Sequence, residues 1–383
     1  MRRIILPGFM LILCALLLSA PAARATDDMP ELAFPCRSAE LLDGRSGEVL
    51  YAQNAAEICY PASVTKLMTM VLTLEAVANG TITLDDVVTV SRDAAAMGGS
   101  QVYLYEGEQR TVNDMLIAIA VGSGNDAAYA MAEYVGGTYD HFIQMMNEKA
   151  QALGMTDTHF VNPHGLHDAE HYTTAADLGK LAVYACSLPL LTDYTSIYEY
   201  EFRPEPQQLV LWNTNRLLKW YEGTIGLKTG YTAEAGRNLV AAAERDGLLL
   251  ISVVLGCEER YGHFETSMEL LNYGFNRFTY HELYPAGSSL GTVAVSKGTA
   301  EQVDAVVADA VGFTAPKNAP GEITEQVELA AGIAAPVSAG DPCGVLTVYR
   351  DGAPFLSVEL VAGGDVAKAK FWRTWGKLLA QAF

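Results

Sequence analysis

Positive charge is scarce in this chain. Its 383 residues include 25 lysines and arginines against 45 aspartates and glutamates, a formal net charge of -20. Because such a surface repels nucleic acid, the composition argues against a nucleic-acid-binding function. Internal repeats and the His-Glu-x-x-His pattern of metalloproteases are also absent from the sequence. Their absence excludes repeat architectures and that class of zinc enzyme.

Cysteine is also rare, with six in the whole chain. One, Cys14, lies in an N-terminal apolar run. The other five are Cys36, Cys59, Cys186, Cys257 and Cys343. Their irregular spacing fits neither a zinc ribbon nor a dense disulfide scaffold. A chain of this length buries a large core without covalent staples, so we expect free, buried cysteines, with one disulfide as the alternative.

An apolar run long enough to span a membrane is lacking at the N-terminus. Residues 1–3 carry positive charge, residues 4–19 are apolar, and Ala23-Arg24-Ala25 forms an Ala-x-Ala cleavage site. The run is short for a transmembrane anchor and is interrupted by Pro7, which favours a signal peptide over 1–25. We therefore predict export and an extracytoplasmic location.

Ser63 and Lys66 form the first of three short polar motifs. On a helix, this spacing places a hydroxyl and an amine on one face, within reach of direct proton transfer. A lysine can take the proton of a serine only where its surroundings lower its pKa. The apolar residues 67–72 predict a buried helix, with Ser63 near its N-terminus, where the helix dipole favours an oxyanion. Taken singly, the motif is also typical of a solvated helix face.

Ser123-Gly124-Asn125 is the second motif, and it lies between two apolar helical segments. It predicts a junction between helices, for which an ordinary helix end with a new N-cap is the plain alternative. Lys228-Thr229-Gly230 is the third, and it predicts a strand whose glycine lets a ligand or another backbone approach closely. The second and third motifs could supply the surroundings that lower the pKa of Lys66.

In this order, the motifs resemble those of the serine-type D-Ala-D-Ala carboxypeptidases, the low-molecular-mass penicillin-binding proteins. The resemblance extends from about residue 33 to the C-terminus. Five segments carry it, of which the first, second and last contain the three motifs: 61–69, 123–128, 162–166, 213–218 and 226–232.

The resemblance implies that Ser63 attacks the carbonyl between two terminal D-alanines and forms an acyl-enzyme. Lys66 would be the base, and Ser123 would relay a proton to the departing amine. The substrate would be a peptidoglycan stem peptide ending in D-Ala-D-Ala. β-Lactams such as penicillin would inhibit the enzyme, and no metal or cofactor is implied.

The remaining motif residues would bind the substrate. The resemblance implies that Asn125 holds the peptide backbone and that Lys228 and Thr229 bind the terminal carboxylate. Gly230 belongs to the same binding strand. The backbone N–H groups of the nucleophile and of Tyr231 would form the oxyanion hole, in which one donor typically contributes about 3 kcal/mol to lowering the barrier.

Several alternatives remain at this stage. A class A β-lactamase would need a glutamate that activates the deacylating water. Asp168 and Glu170 lack the Glu-x-x-Leu-Asn setting of such a base. A DD-endopeptidase and a penicillin-binding scaffold without turnover are also open. Arg237 stands where the family commonly has an aromatic residue. The resemblance therefore does not define the detailed structure of the substrate that this site accepts.

Four histidines close together in the sequence are candidate metal ligands, and Asp168 and Glu170 are further candidates. The histidines are His159, His164, His167 and His171. Their stretch contains the turn-forming Asn162-Pro163, so its spacing does not describe one helical face. We therefore predict a folded loop beside the active site rather than a metal centre.

The expected fold class is α+β, with a β-lactamase/transpeptidase-like domain over 26–280. In this fold a hairpin over 39–51 and strands after residue 227 bracket a helical insert in one antiparallel sheet, which helices flank. Short alternating apolar patterns predict a small β-rich domain over 284–362. The basic, tryptophan-containing segment 366–383 predicts an amphipathic helix on the outer face of the cytoplasmic membrane, with packing against the β domain or a partner chain as the alternative.

Overall fold

The computed structural model of the protein describes residues 32–369. The predicted signal peptide over 1–25 lies outside the described residues. So do residues 370–383, most of the predicted C-terminal helix. In the described part of the chain, no helix is both long enough and apolar enough to cross a membrane.

The helices within residues 32–369 are α1 (Lys66–Ala78), α2 (Arg92–Ala95), α3 (Val112–Ala120), α4 (Asn125–Gly136), α5 (Tyr139–Ala152), α6 (Ala175–Ser187), α7 (Leu191–Thr195), α8 (Leu217–Trp220) and α9 (Gly262–Arg277). The strands of the same range are β1 (Ser38–Asp43), β2 (Val49–Gln53), β3 (Val87–Thr89), β4 (Gln109–Thr111), β5 (Glu199–Arg203), β6 (Leu209–Trp212), β7 (Thr224–Thr232), β8 (Gly236–Arg245), β9 (Leu248–Cys257), β10 (Phe278–Tyr284), β11 (Ser289–Ser296), β12 (Gln302–Val307), β13 (Val311–Pro316), β14 (Ile323–Leu329), β15 (Ile333–Ala334), β16 (Pro342–Arg350) and β17 (Ala353–Ala362).

One antiparallel sheet has the strand order β2-β1-β9-β8-β7. The N-terminal hairpin supplies β1 and β2, and β7 to β9 join them after the helical insert, as predicted. In the turn between β8 and β9, Asp246 and Gly247 have φ of 50° and 78°. Positive φ at both central residues is the geometry of a type I′ hairpin turn.

Helix α1 runs through the centre of the part of the chain that precedes Phe278. Its predicted apolar run over 67–72 is confirmed as buried, with no side chain more than 5% exposed. It packs in one core with α3, α4 and α6 and with the inner face of the sheet. A helix surrounded in this way must be apolar on nearly all sides, which gives any polar residue in it an unusual environment.

From Phe278 onwards, strands dominate the described residues, which confirms the prediction of a β-rich C-terminal part. Six of these strands form a sheet in the order β14-β16-β17-β12-β11-β15, and β10 pairs with β13. Two polar contacts join this part to the N-terminal hairpin: the Thr314 hydroxyl donates to Asp43, and Arg350 pairs with Glu48 at 3.7 Å.

The prediction of a helix over 366–383 is wrong for its first residues, 366–369. Val366 forms a β-bridge with Val337, and Lys368 forms one with Gly298. These pairings hold the end of the described chain in an extended conformation, because the backbone groups that a helix would use are already bonded across to other segments.

Candidate active site

Ser63 and Lys66 meet at the start of α1. Ser63 lies in a 3₁₀ turn, Ala62–Thr65, that leads directly into the helix, and Lys66 is the first helical residue. The Lys66 Nζ donates a hydrogen bond to Ser63 Oγ at 3.0 Å. The contact that the spacing predicts between hydroxyl and amine is therefore present.

The Lys66 amine is completely buried. Besides the serine, its Nζ donates to Asn125 Oδ1 at 2.6 Å and to the His164 backbone oxygen at 2.7 Å, so all three ammonium protons have acceptors. Burial lowers the pKa of Lys66 well below its usual value, the charge of Lys228 lowers it further, and Asp126 opposes both. The low pKa makes the neutral amine, which can accept a proton, accessible at moderate pH.

Ser123 and Lys228 form a second hydroxyl–amine pair. Ser123 lies in the short connection between α3 and α4, which confirms the predicted junction, and its φ is 55°. Non-glycine residues in this conformation cluster at functional sites. The Lys228 Nζ donates to Ser123 Oγ at 2.9 Å. Lys228 is 1% exposed on β7, and burial lowers its pKa to about 7.

Strand β7 passes close to the Ser63 turn, as its glycine predicts. A Cβ atom on Gly230 would lie 3.0 Å from Ser63 N, so only glycine fits without a shift. The Thr229 hydroxyl is 2.6 Å from that of Thr214. Tyr231 follows at the end of the motif with its side chain 59% exposed. The strand therefore brings hydroxyl groups to the cleft while its backbone borders the serine.

Residues from all three motifs line one open cleft of about 300 Å³, and the Lys66 and Lys228 amines are bonded to two of its serines. Its lining residues are Ser63, Ser100, Ser123, Thr214, Arg216, Thr229, Gly230, Tyr231, Arg237, Arg260, Tyr261, His263 and Phe264. All three sequence motifs meet here, although they are far apart in the chain. The arrangement provides a hydroxyl nucleophile, two buried amines and further hydroxyl donors around one space.

Comparison with known proteins agrees with this geometry. A profile of the D-alanyl-D-alanine carboxypeptidase family, peptidase S11, matches residues 24–259, more than half of the chain. The chain belongs to this family. A second profile, for the C-terminal domain of penicillin-binding protein 5, matches residues 278–368.

Individual relatives are similar over most of their length. The D-alanyl-D-alanine carboxypeptidase DacF of Bacillus subtilis is 36% identical over 376 residues, 97% of this chain and 96% of the relative. The solved structure of penicillin binding protein 5 from Haemophilus influenzae has a TM-score of 0.69 at 31% identity and covers 89% of this chain and 100% of its own. Penicillin-Binding Protein D2 from Listeria monocytogenes, in its ampicillin-bound form, has a TM-score of 0.58 at 32% identity and covers 64% of this chain and 100% of its own.

In this family member, Asn238 is a supporting residue that the motifs did not indicate. It is fully buried on β8, and its side-chain nitrogen donates to the backbone oxygens of Tyr60 and Pro61 at 2.8 and 3.1 Å. Its side-chain oxygen accepts from Gly256 N at 2.8 Å. Asn238 thus fastens the turn before Ser63 to two strands. A lone asparagine in a strand pattern gave no signal of this role.

The histidine stretch lies beside the site, as predicted. His164 contributes its backbone oxygen to Lys66, and His171 packs behind the serine turn, where its Nε2 is 2.7 Å from Thr65 Oγ1. Since His171 Nδ1 accepts from Val161 N, its Nε2 is the donor to the threonine. Burial lowers the pKa of His171 to about 4, so the ring is neutral at neutral pH.

The other two histidines are directed elsewhere. His159 Nδ1 bonds to the Glu170 backbone oxygen at 2.6 Å, and the ring of His167 packs edge-on against Tyr60 at 4.6 Å. Asp168 and Glu170 are exposed. Among residues 32–369, no group of histidine, cysteine or acidic side chains is arranged to hold a metal ion.

The five cysteines outside the N-terminal run are free thiols, as expected. Three of them, Cys59, Cys257 and Cys343, are buried, whereas Cys36 and Cys186 are only partly buried. The expectation of burial is therefore correct for three of the five.

Proposed function

We propose that this protein is a serine D-Ala-D-Ala carboxypeptidase that removes the terminal D-alanine from peptidoglycan stem peptides through an acyl-enzyme. The observation that carries the proposal is the 3.0 Å contact between Ser63 Oγ and the wholly buried Lys66 Nζ. A lysine in this setting can act as the base that a serine nucleophile needs. Family membership supplies the reaction and the substrate class.

Acylation begins with neutral Lys66 taking the proton of Ser63 as the oxygen attacks the carbonyl between the two D-alanines. The developing oxyanion is stabilised by the backbone N–H groups of Ser63 and Tyr231. Asn125 aligns the peptide. Because its side-chain oxygen accepts from Lys66 and its nitrogen donates to Gly98, its orientation is fixed before substrate arrives.

Collapse of the intermediate breaks the carbon–nitrogen bond, and the departing amine must gain a proton. Ser123 supplies it, and the Lys228 ammonium at 2.9 Å is placed to replace it. Lys228 and the Thr229 hydroxyl bind the terminal carboxylate, a charge that favours the protonated lysine. Water then hydrolyses the acyl-enzyme and frees Ser63. β-Lactams acylate the same serine, which accounts for inhibition.

Gly230 has a steric part in this scheme, since it lets the binding strand approach the nucleophile. Residues 26–280 form the catalytic domain in this proposal. Residues 284–362 form a β-rich domain that separates the catalytic domain from the membrane. Residues 1–25 direct export, and the segment that ends at residue 383 attaches the enzyme to the outer face of the cytoplasmic membrane. The basic and aromatic composition of that segment supports the attachment.

The test is release of free D-alanine from an acyl-D-Ala-D-Ala peptide. We expect release by the purified protein and none by Ser63→Ala, while Ser196→Ala, which removes an exposed serine, serves as the matched control and retains activity. A fluorescent penicillin should label the wild-type protein and Ser196→Ala covalently, and it should not label Ser63→Ala. If folded wild-type protein reacts with the penicillin but releases no D-alanine, the protein is a penicillin-binding scaffold without turnover. Release only from cross-linked peptides would indicate an endopeptidase.

A further inference from the structure

Three arginines border the active-site cleft, and its lining contains no acidic side chain. Arg216, Arg237 and Arg260 lie in the same cleft as Ser63. The residues that line it in the described part of the chain include no aspartate or glutamate, although the protein has 45. The arginines of the lining therefore bring positive charge to this cleft on a protein of net charge -20. A field of this sign attracts anionic ligands.

Aromatic rings hold the three guanidinium groups. Arg216 and Arg260 lie over the same ring, that of Tyr261, at 5.3 and 5.2 Å, and Arg237 lies over the Tyr231 ring at 4.5 Å. A cation–π contact of this kind uses none of the guanidinium N–H groups as hydrogen-bond donors, so they remain available to an anion. The arginines are thus positioned before any ligand binds.

None of these arginines has an acidic partner among the described residues. The contrast is with Arg203, which pairs with Glu108 at 2.8 Å. The buried Nε of Arg237 and the buried Nδ1 of the neighbouring His263 lack any hydrogen-bond partner within residues 32–369. Buried polar atoms are normally satisfied, and like charges repel, so this arrangement indicates a ligand that supplies acceptors and negative charge.

Building on the proposed function, we propose that Arg216, Arg237 and Arg260 form a second carboxylate subsite. The terminal carboxylate of the substrate already has Lys228 and Thr229 as partners. Three further guanidinium groups exceed what one carboxylate requires. The enzyme therefore selects acidic stem peptides, in which the residue before D-Ala-D-Ala carries a free side-chain carboxylate.

Two peptides that differ only in that group test the subsite. One is N-acetyl-2-aminopimelyl-D-Ala-D-Ala with its side-chain carboxylate free, and the other is the isosteric carboxamide. We expect the wild-type protein to have a kcat/KM about tenfold higher for the carboxylate peptide, because charge-assisted hydrogen bonds to arginine are the stronger kind. The preference should shrink at about 0.5 M salt, since Arg216 and Arg260 are exposed.

The double variant Arg216→Gln and Arg260→Gln should abolish the preference, because kcat/KM should fall more for the carboxylate peptide than for the carboxamide peptide. Arg245→Gln is the matched control: it also removes an arginine stacked on a ring, that of Tyr221, but it lies outside the cleft lining. This control should keep the preference. Arg260→Lys should keep part of it, because the charge remains.

Equal rates for the two peptides in the wild-type protein would overturn the subsite. So would a double variant that loses activity equally on both peptides, because that result would place the arginines on the shared terminal carboxylate. Calorimetry with Ser63→Ala measures the affinity of both peptides without turnover. Absence of D-alanine release would therefore count against the proposed function alone, whereas equal affinities would count against the subsite.

Discussion

Glu40 is a buried carboxyl group that should make the stability of this protein depend on pH. It lies on β1 with 3% of its surface exposed, and its Oε2 has no hydrogen-bond partner among the described residues. Burial raises its pKa from 4.5 to about 7; the Lys180 charge opposes this increase and the Asp177 charge adds to it. Replacement by glutamine keeps the shape and removes the ionisation.

The magnitude follows from the pKa difference. An increase from 4.5 to about 7 is roughly 2.5 pKa units, equivalent to about 3 kcal/mol at 1.36 kcal/mol per unit. Because the folded state holds the proton more tightly than the unfolded state, folding is favoured at low pH. The free energy of unfolding should therefore fall as pH rises from 4.5 to about 7, and the loss from this group should be complete above that window.

Urea unfolding of wild type and Glu40→Gln at about pH 4.5, 6 and 8 measures the effect. The variant should gain stability relative to wild type as pH rises, by up to about 3 kcal/mol at pH 8. Glu106→Gln, which removes an exposed glutamate, is the control variant for the loss of one carboxyl group. A difference for Glu40→Gln that is constant across the range would refute the reasoning, because it would mean that this carboxyl ionises alike in both states.

Three further predictions concern the active site. Asn238→Ala removes three buried hydrogen bonds and should lower the free energy of unfolding by about 2–4 kcal/mol in urea titrations, with slower penicillin acylation; an unchanged midpoint would contradict its fastening role. Gly165→Ala would place a Cβ 1.8 Å from Ala62 O at a φ of 85°. Acylation, measured by stopped-flow labelling with penicillin, should therefore slow more than tenfold. A wild-type rate would show that the serine turn can shift to accommodate the added methyl group without loss of activity. Acylation should increase with pH as Lys66 loses its proton at a pKa well below the usual value, and Lys66→Arg, which cannot act as a base, should slow it by about 10²–10⁴; the same rate in that variant would exclude Lys66 as the base.

The helices and strands around the motifs were predictable because their signals are local. The apolar run after Lys66 predicted a buried helix, and the glycine of the third motif predicted a strand that another backbone approaches closely. The segment from 366 shows where local pattern fails. Its first residues form bridges to Val337 and Gly298, and partners distant in sequence leave no mark on the periodicity of the segment itself.

Parts of the site could not be predicted for the same reason. The histidine stretch suggested ligands, but the fold uses a backbone oxygen of His164 and a neutral ring of His171 as structural supports. Asn238 gave no signal, because its importance depends on a turn from another part of the chain. Arg237 stood out only as a departure from the family pattern, and the fold placed it beside two other arginines that the sequence did not single out.

The sequence alone determined which chemistry this protein carries. Three motifs occur in order, and each consists of a few adjacent residues. Their spacing places the reactive side chains on one face of a helix or a strand. The tertiary structure decided whether that chemistry can operate. Lys66 becomes a candidate base because α1 is buried on all sides, because Asn125 and His164 supply acceptors, and because Lys228 lies near it. Desolvation and charge proximity act through space, so no linear pattern encodes them.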